Sequence, residues 1–411
     1  MKVTFSSQWF PPEKGTMVTQ IARAIAAGGH DLQVLTGFPN YPDGVLFDGY
    51  PLRPYRRDEW EGHPVHRAPL YPSHGASGLG RIANYLSWAA GATLTAQAKV
   101  PRSDAWVVYS SPVTAGVPPL LSPRHRRSPV LTIVQDLWPE SVTDSGMLPG
   151  PLSHGPAPAA AGRVCDAIYR HSSLIGVISP GMRGTLTERG VPDDRIIDLP
   201  NWISDDHLLP DHKASAEARG ALGLPEGFTF LYAGNLGRLQ NLPPLIRAFK
   251  ERPDANLVLL GAGIEAEPLE QLARSIGAAN VHFHPPVPFE SVGTYIAASD
   301  AAVVSLQDSP LMRVTMPSKV QASLAAGRPV LMHAAGDAAA IIRETGAGAV
   351  ATPGDLPGTL EAIDRLVRAS REELAAIGHA ARATYVERYS PSAGVQRLNA
   401  ALDRLVQENH D

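Results

Sequence analysis

Cysteine is almost absent from this 411-residue chain, in which Cys165 is the sole thiol. A single cysteine excludes an internal disulfide framework and a zinc site made of cysteines, and it suits a reducing compartment. No apolar run approaches the ~20 residues that cross a bilayer. The first residues, a short strand that meets a proline break, do not resemble a signal peptide. We therefore expect a soluble protein of the cytoplasm, with contact at the inner face of the cell membrane left open.

Neither sign of charge dominates the composition. The formal net charge is −4, with 36 Lys and Arg against 40 Asp and Glu, so no overall basic excess indicates a nucleic-acid partner. Hydrophobic residues make up 44% of the chain, which is ample for large cores, and 18% charged residues argue against disorder. The length predicts two or three domains.

The first half of the chain opens with a strand, a helix and a second strand, at Lys2–Ser6, Thr16–Ala27 and Leu32–Thr36. The loop before this helix contains Gly15, where backbone can approach a ligand closely, although a plain turn glycine is the alternative. The GxGxxG fingerprint is missing, so a bound dinucleotide is not expected. Further strands are predicted at Val65–Leu70, Trp106–Tyr109, Val130–Val134, Ile175–Ile178 and Arg195–Pro200.

A second alternating series follows a mixed-charge linker near residues 205–225, in which a short helix is expected. Its predicted strands are Phe228–Ala233, Asn256–Leu260, Val281–His284, Ala301–Ser305, Val330–Met332 and Ala349–Ala351. Its predicted helices are Pro243–Lys250, Ala266–Ile276, Glu290–Ala298, Ala338–Thr345, Glu361–Ala369, Glu372–Tyr389 and Ser390–Gln407. The fold class is therefore α/β, with two Rossmann-like halves that form a cleft in which ligands would bind.

The stretch Pro317–Leu331 predicts a loop, a short helix and a buried strand. Pro317 suits the first helical turn, and Ser318 and Lys319 would lie beside free N–H groups at the positive end of the helix. Such a helix start binds phosphate readily. An ordinary crossover with a chance lysine is the alternative. Gly327 is expected to end the helix.

Two features of the first half have two interpretations each, and a third has one. Asp136 follows a buried strand, where its carboxylate could meet a substrate hydroxyl or cap a helix that begins near Pro139. On the predicted helix Gly80–Val100, the residues Arg81, Tyr85 and Trp88 suggest a membrane-contacting face with Arg53–Arg57 nearby, but packing on the sheet is favoured. The basic segment 122–129 is interpreted as a solvated turn.

Several sequence blocks in a fixed order resemble the family 4 retaining glycosyltransferases of GT-B fold. The blocks are FPPEKGT, AGGHDLQVLTGFPNYPDG, QDLWPES, GVISPGM, LPNWI, LYAGNLGRLQN, LVLLGAG, ASDAAVVSL and PSKVQASLAAGRPVL. The chain looks most like the bacterial branch that attaches amino- or deoxysugars during surface-polysaccharide assembly. The resemblance covers nearly the whole sequence.

The resemblance implies transfer of a sugar from a nucleotide-diphosphate sugar, with UDP as the commonest nucleotide, to a sugar-bearing, lipid-linked or natural-product hydroxyl. Residues 1–204 would bind the acceptor, 205–389 the donor, and 390–411 would cross back to the first domain. Residues implied in substrate binding are Gly15, Thr16, Asn235, Gly237, Gln240, Gly261, Gly263, Pro285, Val287, Met312, Arg313, Val314, Thr315, Pro317 and Ser318. Arg238 and Lys319 would stabilise the leaving diphosphate, and Asp136 is the candidate base.

The sequence departs from the family pattern at four donor positions. Asn235 and Gln240 stand where the family has Arg and Lys, and Val314 and Ala322 stand where it has two glutamates. Arg238 could supply the missing positive charge. No Asp-x-Asp motif indicates a divalent ion, so neither metal nor cofactor is expected. A sugar-nucleotide epimerase or hydrolase, and a non-catalytic nucleotide-sugar-binding relative, are the alternative functions.

Overall fold

A computed structural model describes residues 1–73, 78–141, 156–206, 208, 219–220 and 223–407. The chain forms two compact units: an N-terminal unit of Met1–Pro200 with Gly394–Asp411, and a C-terminal unit of Asn201–Ala393. Each unit contains one sheet with helices beside it. The predicted α/β class is confirmed. The helix expected in the linker falls mainly outside the described residues, and the functional roles predicted for the two domains remain predictions.

The N-terminal unit contains an eight-stranded sheet. Its strands are β1 (Lys2–Ser6), β2 (Asp31–Gly37), β3 (Arg56–Trp60), β4 (His63–Ala68), β5 (Ala105–Ser110), β6 (Val130–Val134), β7 (Leu174–Val177) and β8 (Ile196–Asp198). The order in space is β3-β4-β2-β1-β5-β6-β7-β8, and all neighbours are parallel except β3 and β4. Its first five described helices are α1 (Thr16–Ala27), α2 (Gly78–Ala98), α3 (Val117–Leu121), α4 (Pro156–His171) and α5 (Pro180–Glu188).

The core of this unit explains the orientation of α2. Trp88 is fully buried and Tyr85 is 6% exposed, and Trp88 packs with Trp106 of β5. The favoured prediction, a helix packed on the sheet, is therefore correct for this face of α2. The face suggested for membrane contact is wrong, because two of its three residues lie inside the unit.

The C-terminal unit contains a six-stranded, fully parallel sheet. Its strands are β9 (Phe228–Ala233), β10 (Ala255–Leu260), β11 (Val281–His284), β12 (Ala301–Ser305), β13 (Val330–His333) and β14 (Gly348–Ala351). The order is β11-β10-β9-β12-β13-β14, so the direction of winding reverses between β9 and β12. Ligands of open α/β sheets bind outside the carboxyl ends of the strands at such a switch point.

The remaining helices come after β9 in the chain and lie in this unit, except α14, which is mainly part of the N-terminal unit. They are α6 (Pro243–Lys250), α7 (Ala266–Ile276), α8 (Phe289–Ala298), α9 (Pro310–Arg313), α10 (Ser318–Ala325), α11 (Asp337–Thr345), α12 (Leu356–Val367), α13 (Arg371–Arg388) and α14 (Pro391–Gln407). Buried aliphatic and aromatic side chains pack α6, α7 and α12 on the sheet, with Phe230, Phe249 and Ile363 fully buried among them.

The structure corrects several local predictions. The strand β3 and the helix α4 were not predicted, and the expected loop before α10 contains the single helical turn α9. Pro317 precedes α10 in an extended conformation, with φ −72° and ψ 142°, and therefore is not in its first turn. The basic segment 122–129 is not fully solvated, because Ser122 and His125 are buried.

Candidate active site

The carboxyl edge of the C-terminal sheet contains glycines that let two loops approach closely. Gly234 follows β9 with φ +132°, and Gly261 follows β10 with φ +153°. A Cβ atom at Gly261 would lie 1.9 Å from the Gly234 carbonyl oxygen. No side chain fits that distance, and positive φ disfavours L-residues independently. A Cβ at Gly263 would lie 2.2 Å from the Leu236 carbonyl oxygen, so the third glycine has the same role.

These loops are joined through their backbones. The Gly234 N–H donates to Leu260 O at 2.8 Å, and the Leu236 N–H donates to Ala262 O at the same distance. The Gly261 N–H donates to His284 O at 3.0 Å, which connects β11 to the same edge. The edge is therefore formed by main chain that is hydrogen-bonded from loop to loop, and its glycines permit this close approach.

Lys319 lies at this edge and forms no ion pair with a described carboxylate. A Cβ at Gly234 would be 2.6 Å from Lys319 Cε, so the lysine stem lies directly against the first glycine. Its ammonium is 5.2 Å from the centre of the Tyr232 ring, a cation–π distance. Burial lowers the pKa of Lys319 below its ordinary value, and no described carboxylate contributes to that pKa. A half-buried cation without a counter-charge is suited to binding an anion.

A small pocket opens beside the lysine. Its volume is about 240 Å³, and it is lined by Ala233, Gly234, Asn235, Leu260, Gly261, Ala262, Pro286, Val287 and Val292. The structure thus brings together four of the predicted donor-binding positions or their immediate neighbours: Asn235, Gly261, Val287 and the residue after Pro285. The apolar lining of this pocket suits a flat ring of a ligand better than it suits a charged group.

Arg238 and its neighbours form the outer part of the loop after β9. The Arg238 guanidinium donates from Nε to Glu265 Oε1 at 3.1 Å, and its side chain is 79% exposed. The Asn235 amide donates to Gln240 Oε1 at 3.5 Å. A Cβ at Gly237 would meet both of these amides, at 2.7 Å and 2.8 Å. Arg238 is therefore occupied by a carboxylate, whereas Lys319 is not.

The segment 312–315 is among the residues that the resemblance implied in substrate binding, and its backbone amides are the groups that would make such contacts. Three of its amides already have acceptors: Met312 N–H donates to Ser309 Oγ, Arg313 N–H to Ser309 O, and Thr315 N–H to Met312 O. The fourth residue of the segment, Val314, also has an interaction partner within the protein. The N-terminal turn of α10, where Ser318 is exposed and no side chain caps the helix, therefore offers more accessible N–H groups than the segment 312–315.

His333 is a buried residue of this edge that was not predicted. It ends β13, and its Nδ1 is 2.9 Å from the Ser305 hydroxyl at the end of β12. Burial lowers the pKa of His333 to about 4, so the imidazole is neutral near pH 7. The pair connects the two strands on the far side of the switch point. The sequence shows a histidine directly after a predicted apolar strand, but its hydrogen-bond partner Ser305 lies 28 residues earlier in the chain.

The predicted contacts of the N-terminal unit lie at its own carboxyl edge. Gly15 is the N-cap of α1 with extended backbone, and a Cβ there would be 3.0 Å from Val18 Cγ2. Its backbone is accessible to any residue type, so only moderate crowding favours glycine. Thr16 is exposed in the first turn of α1, and no side chain caps that turn.

Asp136 follows β6, and its carboxylate accepts a hydrogen bond from the Ser111 hydroxyl at 2.9 Å. The side chain reaches solvent, yet the surrounding protein displaces part of its hydration, which raises the pKa of Asp136; the Ser111 bond lowers it. The carboxylate is thus accessible to solvent and hydrogen-bonded to Ser111. A group that exchanges a proton with a bound hydroxyl must be accessible in this way.

Glu13 is a buried carboxylate that the sequence patterns did not reveal. Its oxygens accept the backbone N–H groups of Phe10 at 3.1 Å and of Asn40 and Tyr41 at 2.8 Å. Burial raises the pKa of Glu13 from 4.5 to about 7, against the lowering effect of these three donors and of Arg67. Glu13 therefore fastens the loop after β1 to the loop after β2.

Aromatic rings and buried side-chain amides lie around the two loops that Glu13 joins. Trp9 and Tyr41 are 5.1 Å apart between ring centres, and Tyr85 is 6.2 Å from Trp9 and 6.0 Å from Trp138. Behind them, a hydrogen-bonded chain of amides runs from Gln8 through Asn84 to Asn40. Trp9, Tyr41 and Trp138 remain partly exposed. Faces of this kind suit a ligand with both apolar and hydroxyl surfaces.

Two kinds of feature are absent from the described residues, a metal-binding cluster and a membrane-spanning helix. No three His, Cys, Asp or Glu side chains among them are grouped to bind a metal ion. No helix among them has the length and apolar character needed to span a bilayer.

Two family models match the two halves of the chain. The model described as a glycosyl transferase 4-like domain matches residues 15–202. The model described as glycosyl transferases group 1 matches residues 215–384. A glycosyl transferase assigned to colanic acid biosynthesis, WcaI of Escherichia coli K12, is 25% identical over 318 residues, which are 76% of this chain and 77% of that protein.

Solved structures share the fold over the full length. Sucrose-phosphate synthase of Thermosynechococcus elongatus matches with a TM-score of 0.72 and 17% identity over 99% of each chain. HepE of Anabaena, in complex with UDP-glucose, matches with a TM-score of 0.69 and 17% identity, covering 98% of this chain and 100% of that one. At these sequence identities the likeness shows a shared fold alone.

Proposed function

This chain belongs to the family 4 glycosyltransferases of GT-B fold, and from that premise we propose that it moves a sugar from a UDP-sugar to a hydroxyl of a sugar-bearing acceptor, releasing UDP. The observation that carries the donor half is Lys319, a half-buried cation beside the glycine edge with no described carboxylate as partner. The complexes of HepE with UDP, and with UDP-glucose, support the choice of UDP.

The donor would lie along the carboxyl edge of the C-terminal sheet. The 240 Å³ pocket beside Gly234 and Val287 would take the flat nucleobase. The diphosphate would then reach Lys319 and the uncapped start of α10, where an ammonium and free N–H groups favour negative charge. Close approach of phosphate oxygens to main chain is what the glycines at 234 and 261 permit.

Cleavage of the anomeric C–O bond builds positive charge on the sugar and negative charge on the leaving diphosphate. Groups fixed in advance around the diphosphate lower that barrier without a metal ion. Lys319 is the principal group in this proposal. The acceptor hydroxyl passes its proton to the departing phosphate or to Asp136, and the sugar is transferred with retention of anomeric configuration, as the family resemblance implies.

The acceptor would bind at the carboxyl edge of the N-terminal sheet. Trp9, Tyr41 and Trp138 offer partly exposed rings that can cover the apolar face of a sugar, and Asp136 offers an accessible carboxylate. A glycan, a lipid-linked sugar and a natural product all have such faces. The likeness to WcaI supports a role in surface-polysaccharide assembly. We propose a cytoplasmic location for this work, which the low cysteine content suits.

The test is transfer of label from UDP-sugars in buffer that contains a chelator. UDP-, GDP- and dTDP-sugars are incubated with the protein and an extract of lipid-linked and free glycans, and products are separated by mass. We expect label from a UDP-sugar in a product heavier than the free sugar, with the anomeric configuration retained. Label in free sugar alone would indicate a hydrolase, and an altered sugar nucleotide would indicate an epimerase. No turnover of any donor, with nucleotide still bound, would indicate a non-catalytic relative.

A further inference from the structure

A cavity of about 500 Å³ lies in the C-terminal unit, away from the glycines of the candidate donor site. Two of its lining residues, Asp300 and Arg328, stand one and two residues before β12 and β13. Because the strands of this sheet are parallel, their amino ends share one side of the sheet and their carboxyl ends the other. The cavity therefore borders the amino ends, whereas Gly234, Gly261 and Lys319 lie at the carboxyl ends.

The helix α13 forms one wall of this cavity, and the loop after α10 forms another. A Cβ atom at Gly378 of α13 would lie 2.4 Å from the Gly327 carbonyl oxygen, so this glycine lets the helix and the loop meet closely. In the core that α10 and α13 share, Leu324 and Ala381 are fully buried. The lining residues of α13 recur at helical spacing, which places them on one side of the helix: Arg371, Leu374, Ala375, Gly378, His379 and Arg382.

Two arginines of the cavity, Arg328 and Arg371, form no ion pair with a described carboxylate. Arg328 donates to the Ala297 carbonyl oxygen, but its Nε is buried and has no hydrogen-bond acceptor among the described residues. A buried donor without an acceptor is costly, because it has lost its hydrogen bonds to water. An acceptor atom of a bound ligand would offset that cost.

The other ionised groups that line the cavity already have partners. The Asp300 carboxylate accepts Arg219 Nη1 at 3.0 Å and the Thr229 N–H at 2.7 Å. The Arg382 guanidinium donates to the Asp205 carboxylate. The carboxylate of Asp300 is therefore neutralised by an arginine outside the cavity, and the charges of Arg328 and Arg371 remain for a ligand.

The lining suits a ligand that has an anionic end and a carbon part. Guanidinium groups bind phosphate oxygens through paired hydrogen bonds. Leu374, Ala375 and Pro329 add apolar surface beside the arginines. A volume of about 500 Å³ lies within the range of small-molecule pockets and exceeds what a bare phosphate ion fills.

We propose that this cavity binds a phosphate monoester, a sugar phosphate or a nucleoside monophosphate, whose phosphate contacts Arg328 and Arg371. The carbon part of the ester would lie against the apolar residues of α13. This site is separate from the candidate donor site, and its existence does not depend on which sugar the protein transfers.

The test is calorimetric titration of the full chain with inorganic phosphate, glucose 1-phosphate and uridine 5′-monophosphate. We expect at least one of the two esters to bind with a Kd of about 1 mM or tighter, and the better ester identifies the organic part. Inorganic phosphate should bind at least about tenfold more weakly, because it makes no apolar contact. No binding of either ester, or equal binding of inorganic phosphate, would overturn the proposal.

Two matched pairs of variants locate the binding. Ala375→Glu places a carboxylate one turn from both Arg371 and His379, and it should lower ester affinity at least about tenfold. Ala376→Glu adds the same charge at the next exposed position of α13, which does not line the cavity, and should change affinity by less than about twofold. Arg371→Gln should lower affinity about tenfold, whereas Arg247→Gln, at an exposed arginine on α6, should have no effect.

A further variant separates this cavity from the donor site. Lys319→Met should leave the affinity for the ester unchanged, because Lys319 lies at the opposite end of the sheet. Each variant is checked for an unchanged thermal transition. Ester binding that is lost in Lys319→Met and retained in Ala375→Glu would assign the ester to the donor site and overturn the proposal, as would equal affinities in Ala375→Glu and Ala376→Glu.

Discussion

The two sheets present their carboxyl edges by different chemical means. In the C-terminal unit, main chain meets main chain at Gly234 and Gly261, and Lys319, which pairs with no described carboxylate, lies against Gly234. In the N-terminal unit, side chains form the edge: Glu13 fastens two loops, and aromatic rings cover them. A backbone edge with one cation suits an invariant anionic group, whereas a side-chain edge can be varied to fit different neutral ligands. This difference corresponds to the proposed division between a common donor and a particular acceptor.

The largest effect is expected at the backbone edge. Gly261→Ala places Cβ 1.9 Å from the Gly234 carbonyl oxygen at φ +153°, so the loops after β9 and β10 must separate. We expect the free energy of unfolding to fall by roughly 4 kcal/mol, in the range reserved for severe clashes, with loss of UDP binding. Chemical denaturation measures the first and calorimetry the second. As a control, Gly184→Ala within α5, where nothing lies within 4 Å, should be neutral or slightly stabilising. Equal effects of the two substitutions would refute the backbone account.

A smaller effect, with opposite dependence on pH to most carboxylates, is expected from Glu13. Its pKa in the folded protein is about 7 against an ordinary value of 4.5, so between these values the folded state binds more protons than the unfolded state. The contribution of Glu13 to stability is therefore present below pH 4.5 and declines as the pH rises towards 7, by roughly 3 kcal/mol. Glu13→Gln should flatten this slope in denaturation curves recorded across that interval. A wild-type slope that persists in the variant would show that another group is responsible.

Gly37, which ends β2, offers a glycine at the side-chain edge for comparison with Gly261. A Cβ there would be 2.7 Å from Leu70 Cδ2 and 3.0 Å from Gln8 O, and the nearer atom belongs to a side chain that can shift. We expect Gly37→Ala to lower the free energy of unfolding by roughly 1–2 kcal/mol, with UDP affinity unchanged. Loss of UDP affinity in this variant would contradict the assignment of UDP binding to the C-terminal edge alone.

The smallest effect is expected at Arg238. Its guanidinium is 79% exposed and already paired with Glu265, so it offers less to a phosphate than the family comparison suggested. Arg238→Ala should weaken UDP binding by less than about 1 kcal/mol, because exposed ion pairs contribute little. Glu265→Gln should free the arginine and strengthen UDP binding slightly. A loss of UDP affinity above tenfold in Arg238→Ala would show instead that Arg238 is a principal contact of the UDP diphosphate.

The strands and most helices of the C-terminal unit were predictable from hydrophobic periodicity, because buried parallel strands are short apolar runs between glycine-bearing loops. β3 was not, since its residues RRDEW are polar and it exists by pairing with β4 at an edge. On α2, two sides are apolar, and only the assembled sheet decides which one is buried. Periodicity alone could not distinguish the Trp88 side from the Leu86 side.

The candidate site was predictable in its parts and not in its contacts. Glycines after β9 and β10 and a lysine at the start of α10 are local signals in the sequence. The partners that give these groups their character are distant: Glu265 is 27 residues from Arg238, and Asn40 is 27 residues from Glu13. Whether a charged residue is free or occupied depends on such long-range pairs, which one sequence does not reveal.

The most direct measurement compares UDP with uridine in calorimetric titrations of wild-type protein and Lys319→Met, both in the presence of a chelator. If Lys319 binds the diphosphate, wild-type protein should bind UDP at one site, and the variant should lose about tenfold to a hundredfold in UDP affinity while binding uridine unchanged. Lys250→Met, an exposed lysine on α6, is the control and should change neither affinity. Equal UDP affinities in wild-type protein and Lys319→Met would contradict the account.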